Sequence, residues 1–242
     1  MQNKKRLDVF LQELHPQYSR RQIQSWILQG KVTVNDKKET KAGTQIKEKD
    51  KVELILDEPK FVSRAGFKLE GALDYFNVDV AGMTVLDSGL STGGFTDCLL
   101  QRGAKKVYGV DVGTCQVHEK IACDERVVVM EKTNLKDLVL NEKVDLVTLD
   151  LSFISVLKVL QVVFNVLKEN GSLIILIKPQ FEARKDQIGK GGIVRDDKVR
   201  DAIVQNTIAG IKEFGFEFFG LIESPITGAT GNIEYLAYFK KS

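Results

Sequence analysis

The stretch Val85-Leu86-Asp87-Ser88-Gly89-Leu90-Ser91-Thr92-Gly93-Gly94-Phe95 decides the fold of the larger part of the chain. Its first apolar residues predict a buried strand, its glycines predict a turn, and the apolar residues after Phe95 predict a helix. Glycines let the backbone come into contact with a ligand, and the first turn of the helix offers unpaired N–H groups. The stretch therefore predicts a strand, turn and helix that bind a cofactor.

The acidic residue at the end of this strand favours one class of cofactor. The glycine spacing is not the G-x-G-x-x-G of NAD-binding turns, and the carboxylate of Asp87 would repel a pyrophosphate. A carboxylate suits the ammonium group of S-adenosylmethionine. Asp111 ends the next strand, where it can accept hydrogen bonds from ribose hydroxyls. Asn134 follows the third strand, either near the adenine or as an ordinary helix cap. The predicted cofactor-binding residues are Asp87, Ser88, Gly89, Ser91, Gly93, Gly94, Phe95, Asp111, Val112, Asn134 and Asp150.

Strands and helices alternate on both sides of this turn. The candidate strands are Thr84–Asp87, Lys106–Asp111, Val127–Met130, Val144–Asp150, Ser172–Ile177, Phe216–Glu223 and Glu234–Lys240. Short apolar strands such as Leu173–Ile177 indicate burial on both faces, and hence a parallel sheet between layers of helices. A turn-rich stretch between the last two strands predicts a closing antiparallel hairpin. We therefore expect residues 62–242 to form a Rossmann-like α/β domain with a mostly parallel seven-stranded sheet.

Residues 1–56 predict a separate, small α+β domain. Apolar residues recur at helical spacing in Lys5–His15, and Ser19 with Gln22 forms a capping-box pattern for a second helix that ends at Gly30. Lys31–Asp36 and Lys51–Leu56 predict strands. Residues 57–61 are polar, contain a proline and predict a linker. The chain has a net charge of +2, and its basic surplus lies in the first 60 residues.

Composition argues against several classes of protein. No apolar run approaches the roughly 18–20 residues that cross a bilayer. No apolar segment follows the basic residues of the amino terminus, as it would in a secretory signal. The cysteines (Cys98, Cys115 and Cys123) and the two histidines lack the spacing of zinc ligands. We therefore expect a cytoplasmic protein with no membrane segment and no metal site, whose oligomeric state stays open.

Four charged residues stand in settings where charge is unusual. Lys178 closes the buried run that ends at Ile177, and lysine is rarely buried without a partner. Asp150 ends the neighbouring strand, at the edge where open α/β sheets bind ligands, and supplies a counter-charge. Lys68 and Glu234 interrupt apolar or small-residue stretches, although either could by itself be an ordinary surface charge.

The order of these four residues resembles the K-D-K-E tetrad of the FtsJ-like RNA ribose 2′-O-methyltransferases. Three motifs (Ser63–Leu69, Asp87–Phe95 and Lys178–Glu182) resemble the TlyA family, in which an S4-type RNA-binding domain precedes an FtsJ-like domain. The amino-terminal resemblance rests on Arg6–Asp8 and Ser19–Asn35, so that the similarity extends from end to end. It implies 2′-O-methylation of a cytidine in ribosomal RNA, with ribosomal RNA or ribosomal subunits as partners. It also implies contacts to RNA phosphates from Arg20, Arg21 and Lys31, supported by Lys4, Lys5 and Arg6.

The tetrad suggests a mechanism. A lysine with its ordinary pKa of about 10.4 holds its proton at neutral pH, and burial beside a second cation is what lets a lysine accept one. On this hypothesis Lys178 is the general base or the hydroxyl-orienting group, and Lys68 is the second cation. Asp150 and Glu234 hold the lysines and the sugar in line with the methyl group. Residues 182–196, rich in glycine and basic residues, predict a mobile lid or, equally, a plain surface loop.

Other functions stay open at this point. TlyA-like proteins are also described as haemolysins, but a pore former requires secretion and a membrane-inserting segment, and neither is evident in the sequence. A non-catalytic RNA-binding or ribosome-assembly factor would keep the fold without turnover, and the intact tetrad argues against it. A methyltransferase for a base or a small molecule is disfavoured because the N/D-P-P-Y/F motif is absent.

Overall fold

The computed structural model describes residues 4–47, 49–55, 59–189 and 191–242. The chain divides into two compact units, one on each side of the bond between Pro59 and Lys60. Leu56 of the predicted closing strand, and Asp57 and Glu58 of the predicted linker, lie outside the described residues. Each unit has its own hydrophobic core.

The amino-terminal unit is a small α+β fold. Its elements are β1 (Lys4–Arg6), α1 (Leu7–Leu14), α2 (Arg20–Leu28), β2 (Val32–Val34), β3 (Lys37–Glu39), β4 (Gln45–Lys47) and β5 (Val52–Leu54). Strand β1 pairs with β4, and β2 lies between β3 and β5, with every pair antiparallel. The apolar faces of the two helices pack on β2 and β4 around Leu7, Leu11, Ile23, Ile27, Val32 and Ile46.

The helices of this unit are present as the pattern predicts, with differences at their ends. The capping box is confirmed, because Ser19 Oγ accepts a hydrogen bond from the Gln22 amide and Gln22 Oε1 accepts one from the Ser19 amide. The first helix begins at Leu7 and not at Lys5, because Lys4–Arg6 pair with β4 as a strand. Strands β3 and β4 were not predicted, because each has only three residues, most of them polar or charged, and so shows no apolar alternation.

The carboxyl-terminal unit contains one seven-stranded sheet between two layers of helices. Its helices are α3 (Ala65–Tyr75), α4 (Gly94–Gln101), α5 (Glu119–Ala122), α6 (Leu160–Val166), α7 (Pro179–Glu182) and α8 (Asp197–Glu213). Its strands are β6 (Thr84–Ser88), β7 (Lys106–Val110), β8 (Val127–Met130), β9 (Val144–Leu149), β10 (Leu167–Ile177), β11 (Phe216–Glu223) and β12 (Tyr235–Lys241). Short 3₁₀ helices lie at Leu135–Asp137, Val156–Val159 and Lys185–Gln187.

The strand order in this sheet is β11-β12-β10-β9-β6-β7-β8. The five strands from β10 to β8 are parallel to one another, and β12 pairs antiparallel with both β10 and β11. Successive residues of Leu173–Ile177 enter the cores on opposite faces of the sheet in turn, which explains why the run is continuously apolar. The predicted Rossmann-like architecture and the closing hairpin are confirmed.

The capping box of α2 gives a stability test of the amino-terminal unit. We expect Ser19→Ala to lower the free energy of unfolding by about 1 kcal/mol, because the Gln22 amide at the start of α2 loses its acceptor, Ser19 Oγ. The measurement is urea unfolding followed by circular dichroism. Ser25→Ala makes the same chemical change inside the exposed part of α2, where alanine is the better helix former, and should be neutral or slightly stabilising. Equal losses for the two variants would contradict the assignment.

Candidate active site

The functional side chains meet at one edge of the large sheet. Because β6, β7, β9 and β10 are parallel, their carboxyl ends lie together, and the order of the chain reverses between β6 and β9. Strand β12 runs the other way, so its beginning lies at the same edge. Tyr235 pairs with Ile177, and the register therefore places Glu234 opposite Lys178.

All four tetrad residues reach this edge, as two ion pairs. Lys178 Nζ lies 2.6 Å from Asp150 Oδ1, and Lys68 Nζ, carried by α3, lies 2.5 Å from Glu234 Oε2. Both lysines and Glu234 are buried. Lys178 also donates a hydrogen bond to Ser152 Oγ at 3.1 Å. Burying these charges is tolerable because each ammonium has a carboxylate beside it.

The two pairs are of the kind that the predicted mechanism expects, with Asp150 and Glu234 holding the lysines. The action of Lys68 as a second cation beside Lys178, and the choice between the general-base and hydroxyl-orienting roles of Lys178, stay predictions.

A cavity of about 440 Å³ opens beside the first ion pair. Asp111 forms part of its wall and accepts hydrogen bonds from the amides of Ser91 (2.8 Å) and Gly113 (2.7 Å). Each carboxylate oxygen has a further lone pair that can face a ribose hydroxyl. Asn134 lines the cavity and also caps the 3₁₀ helix that follows it, so both of its sequence interpretations are compatible with the structure. The remaining lining residues are Ser88, Gly89, Val110, Val112, Gln116, Thr133, Leu135, Asp150, Leu151, Ser152, Phe153, Ile154 and Val159.

A narrower pocket of about 80 Å³ adjoins this cavity and shares Gly89, Ser91 and Asp150 with it. Gly94 and Phe95, at the start of α4, also line the narrow pocket. Gly89 has a φ of +88°, and a Cβ atom there would lie 2.2 Å from the carbonyl oxygen of Asp150. Only glycine therefore lets the turn after β6 approach the end of β9 closely enough to form this pocket.

Two residues of the predicted cofactor site line neither pocket. Asp87 is fully buried, and its carboxylate accepts hydrogen bonds from Thr96 Oγ1 (2.7 Å) and Thr148 Oγ1 (2.9 Å). Asp87 therefore ties α4 to β9 and lines neither pocket, and its contact with an ammonium group stays a prediction. Gly93 has a φ of +94° and begins α4 against Ile121. The contribution of both residues is to shape the turn.

Burial also changes the acidity of Asp87. Desolvation, with a smaller contribution from the charge of Asp150, raises the pKa of Asp87 from 3.8 to about 6 against the opposing effect of the two threonine hydroxyls. Close to neutral pH, this carboxylate is thus near the point where it gains or loses a proton.

The segment after Asp150 was missed at the sequence level. Phe153 has a φ of +65° and a side chain that is 90% exposed, and its ring lies 5.0 Å from the ring of Phe181. Glu182 fixes the segment, accepting hydrogen bonds from Ser155 Oγ (2.6 Å) and the Val156 amide (2.9 Å). Burial raises the pKa of Glu182. An exposed aromatic residue in a left-handed conformation is a feature of functional sites, and the available signal was its place just beyond an acidic strand end.

The predicted lid, residues 182–196, is anchored near both ends. Glu182 holds its beginning, as described above. Near its end, the Val194 amide donates to Asn232 Oδ1 (3.2 Å), and Asn232 Nδ2 donates to the Gly192 carbonyl (3.0 Å). Lys190 lies outside the described residues. Closure of this segment over a substrate stays a prediction.

The predicted RNA-contacting residues all belong to the amino-terminal unit. Arg6 and Arg20 both bind the buried carboxylate of Asp8, and Lys5 pairs with Glu13 at 2.5 Å. Lys4 and Arg21 are exposed, and Lys31 is partly buried.

Family models match both units. The model for FtsJ-like methyltransferases matches residues 61–241, and the model for the S4 domain matches residues 5–52. The chain belongs to the FtsJ-like methyltransferase family. Its resemblance to the TlyA proteins is confirmed by relatives that match almost its whole length.

Two such relatives are a Hemolysin A and a TlyA protein. The Hemolysin A of Brachyspira hyodysenteriae is 44% identical over 238 residues, which cover 97% of this chain and 99% of that protein. The 16S/23S rRNA (cytidine-2′-O)-methyltransferase TlyA of Mycobacterium tuberculosis is 38% identical over 244 residues, covering 99% and 91% of the two chains.

Solved structures agree with these relatives. A structure described as a hemolysin from Streptococcus thermophilus is 38% identical, with a TM-score of 0.75 over 100% of this chain and 90% of that one. An S-adenosylmethionine-dependent methyltransferase from Listeria monocytogenes shares the fold, with a TM-score of 0.56 and 21% identity over 74% of this chain and 100% of that one. S-adenosylmethionine is the cofactor of this family and fold.

Two further findings concern the described residues alone. No helix among them is both long enough and apolar enough to span a membrane. Nor do they contain a cluster of three or more His, Cys, Asp or Glu side chains suited to a metal ion.

The raised pKa of Asp87 predicts an unusual dependence of stability on pH. The folded protein binds this proton more tightly than the unfolded chain, so the stabilisation is complete below pH 4 and is lost as the pH rises through about 6. A shift of this size corresponds to roughly 3 kcal/mol. We expect the free energy of unfolding of the wild type, relative to Asp87→Asn, to fall by that order between pH 4 and pH 7, measured by urea unfolding.

Asp97→Asn is the matched control. Asp97 is also buried, but Lys120, Gln101 and the Val62 amide outweigh desolvation and lower its pKa. Its stabilisation is therefore present above pH 4 and is lost as the pH falls below that value. Parallel pH profiles for the two variants, relative to the wild type, would refute the assignment for Asp87.

Proposed function

We propose that this protein transfers a methyl group from S-adenosylmethionine to a ribose 2′-hydroxyl of ribosomal RNA, at a cytidine, and that its amino-terminal unit positions the RNA. The observation that carries the proposal is that the two lysine–carboxylate pairs lie at one edge of the sheet, with Asp150 of the first pair in the wall of the cavity. The reaction and the nucleotide come from the name of the TlyA relative. Ribosomal RNA or a ribosomal subunit in the cytoplasm would be the partner.

The cavity residues fit the cofactor. S-adenosylmethionine, when bound, supplies a methyl carbon that is activated by a positively charged sulfur. Asp111 would accept hydrogen bonds from its ribose hydroxyls, and the apolar side chains of Val112, Leu135 and Ile154 would contact its adenine. The narrow pocket next to Gly89, where a Cβ atom would collide with Asp150, would hold its amino-acid part. Asp87 would support this pocket from behind.

Lys178 would orient the attacking oxygen. Its ammonium group, held by Asp150 and Ser152, can donate a hydrogen bond to the ribose 2′-oxygen and leave a lone pair of that oxygen directed at the methyl carbon. Lys68 and Glu234 would hold the sugar from the neighbouring position at the sheet edge. Such alignment contributes much of the acceleration, because the methyl carbon already carries a good leaving group.

Asp150 would receive the hydroxyl proton. A ribose oxygen that gains a methyl group must lose its proton, and that proton would be acidic enough for a carboxylate to accept it. Each oxygen of the Asp150 carboxylate has two lone pairs, so the group can take this proton while Oδ1 stays 2.6 Å from Lys178 Nζ.

The exposed ring of Phe153 supports an RNA substrate. An unstacked base is commonly held on the face of an aromatic side chain, and such stacking contributes about 1–3 kcal/mol. Phe153 lies on the wall of the cavity, three residues after Asp150, with Phe181 behind it. The proposal therefore places the base of the target nucleotide on this ring, with its ribose facing Lys178.

The central test removes the two members of the Lys178–Asp150 ion pair one at a time. We expect Lys178→Ala and Asp150→Ala to lower the rate of methyl transfer to ribosomal RNA by at least about 100-fold, because the 2′-oxygen loses its orienting group or its proton acceptor. The measurement is transfer of a tritiated methyl group, with cofactor binding followed by isothermal titration calorimetry. Cofactor affinity should change little for Lys178→Ala.

The same strands provide a matched control. Lys168 and Asp145 form an ion pair of 2.6 Å at the opposite ends of β10 and β9, far from the cavity-forming strand ends. Lys168→Ala should leave the turnover unchanged. Near-normal transfer by Lys178→Ala, or an equal loss in Lys168→Ala, would remove the proposed role.

The product identifies the reaction. Ribosomal RNA from cells with and without the protein, digested to nucleosides and analysed by mass spectrometry, should differ by a ribose-methylated cytidine. Methylation on a base would contradict the proposal. Because relatives carry the name hemolysin, the purified protein should also be tested on red cells without cofactor or RNA. Lysis that persists in Lys178→Ala would establish a separate activity.

A further inference from the structure

A buried carboxylate lies under the basic surface of the amino-terminal unit. Asp8, in the first turn of α1, is fully buried. Arg6 donates to it from Nε (3.0 Å) and Nη2 (3.1 Å), and Arg20 donates from Nε (3.1 Å) and Nη2 (2.9 Å). Gln24 completes the set through Nε2 at 2.7 Å. Two guanidinium groups from different elements thus converge on one anion.

The cluster stays charged over the accessible pH range. Burial by itself raises the pKa of Asp8, but the hydrogen bonds from Arg6, Gln24 and Arg20 outweigh it and hold the pKa well below its usual range. Two arginines and one aspartate therefore carry a net charge of +1 at any pH at which RNA binding is studied. That charge matches one phosphodiester group.

Both arginines keep donors for a ligand. Their side chains are 47% exposed, whereas Asp8 beneath them is 0% exposed. Each guanidinium uses Nε and Nη2 on Asp8, and neither Nη1 has a hydrogen-bond partner among the described residues. Gly43 leaves room for the Arg6 side chain, since a Cβ atom there would lie 3.3 Å from its Nη1. The hydrogen bonds to Asp8 thus hold both guanidinium groups in place, with Nη1 of each left to donate to a ligand.

We propose that Asp8 joins Arg6 and Arg20 into a single preorganised fork that binds one phosphate of the RNA backbone. The proposal rests on RNA being the substrate, as argued above, and adds that the two arginines act as one contact and not as two. Arginine presents donors in the fixed geometry that suits phosphate oxygens, and holding the side chains in place removes the entropy cost of ordering them on binding. Asp8 is a positioning residue in this arrangement.

Asp8→Asn tests the positioning role by the sign of its effect. If Asp8 were only a negative charge near RNA, its removal would strengthen binding by relieving repulsion. If it positions the fork, Asp8→Asn weakens binding of a fluorescent oligocytidylate strand and of ribosomal RNA by about tenfold, the loss of one charge-assisted contact. Fluorescence anisotropy gives the affinities, and circular dichroism at the assay temperature confirms that the variant is folded. Unchanged or tighter binding would overturn the proposal.

A double-mutant cycle provides a second test that leaves the buried carboxylate in place. Arg6→Ala and Arg20→Ala should each weaken binding by about tenfold, and the double variant should lose little more, because the fork is already broken. Arg21 is the matched control: it is exposed on the same turn of α2, and no bond to Asp8 is observed for it. Arg6→Ala with Arg21→Ala should be additive. Additive losses for Arg6 with Arg20 would contradict the single fork.

The salt dependence of binding counts the phosphates directly. For single strands the slope of log K against log salt changes by about 0.7 for each phosphate contact. Arg6→Ala, Arg20→Ala and their double variant should all reduce the slope by this one step. A reduction of two steps in the double variant would show two independent contacts.

These outcomes are separable from failure of the proposed function. If wild-type protein methylates ribosomal RNA and Lys178→Ala does not, but the fork variants behave additively, only the fork is wrong. If the fork variants lose RNA affinity as expected but no methyl transfer is found, the fork stands as an RNA contact and the catalytic proposal fails. A loss of stability with no change in RNA affinity would show that the cluster is purely structural.

Discussion

Burying an ammonium group without a partner costs several kcal/mol of free energy. The carboxyl-terminal edge of the large sheet therefore depends on the ion pair between Lys178 and Asp150. The Lys178 side chain follows five residues that are all buried, and a carboxylate from the end of the adjacent strand lies 2.6 Å from its Nζ atom. The pair requires β9 and β10 to be parallel neighbours, so that both strands end at the same edge. The strand order of the sheet therefore decides whether the two charged groups of the site can pair.

The turn after β6 is built around the same edge. Gly89 lets this turn touch the carbonyl group of Asp150, and Asp87 fastens the following helix to β9 through Thr96 and Thr148. A fully buried carboxylate whose pKa is raised to about 6 costs stability near neutral pH. The same buried carboxylate fixes α4 relative to the end of β9, next to the cavity that we propose binds the cofactor.

Both units contain carboxylates of low exposure that hold cationic side chains in place. In each, a carboxylate of low exposure holds cationic side chains in a fixed direction: Asp150 and Glu234 hold lysines at the sheet edge, and Asp8 holds two arginines at the surface of the small unit. In the first case the cations are buried, and on the proposed function they face the reacting oxygen. In the second they are about half exposed, and on the proposal above they bind the RNA backbone. Neighbouring carboxylates decide where these cations point.

The sequence by itself determined the strands of the large sheet, the glycine turn, the capping box at Ser19 and the family, because each depends on residues close together in the chain or on recurring motifs. It also indicated most of the cavity wall, since strand ends in a parallel sheet must lie together. Tertiary structure decided which charges pair: Lys68 with Glu234, 166 residues apart, and Arg20 with Asp8. It also buried Asp87 completely and exposed Phe153. Packing between helices and strands sets the direction of a side chain and the identity of its distant partner. The pattern of neighbouring residues in the sequence carries no information about this packing.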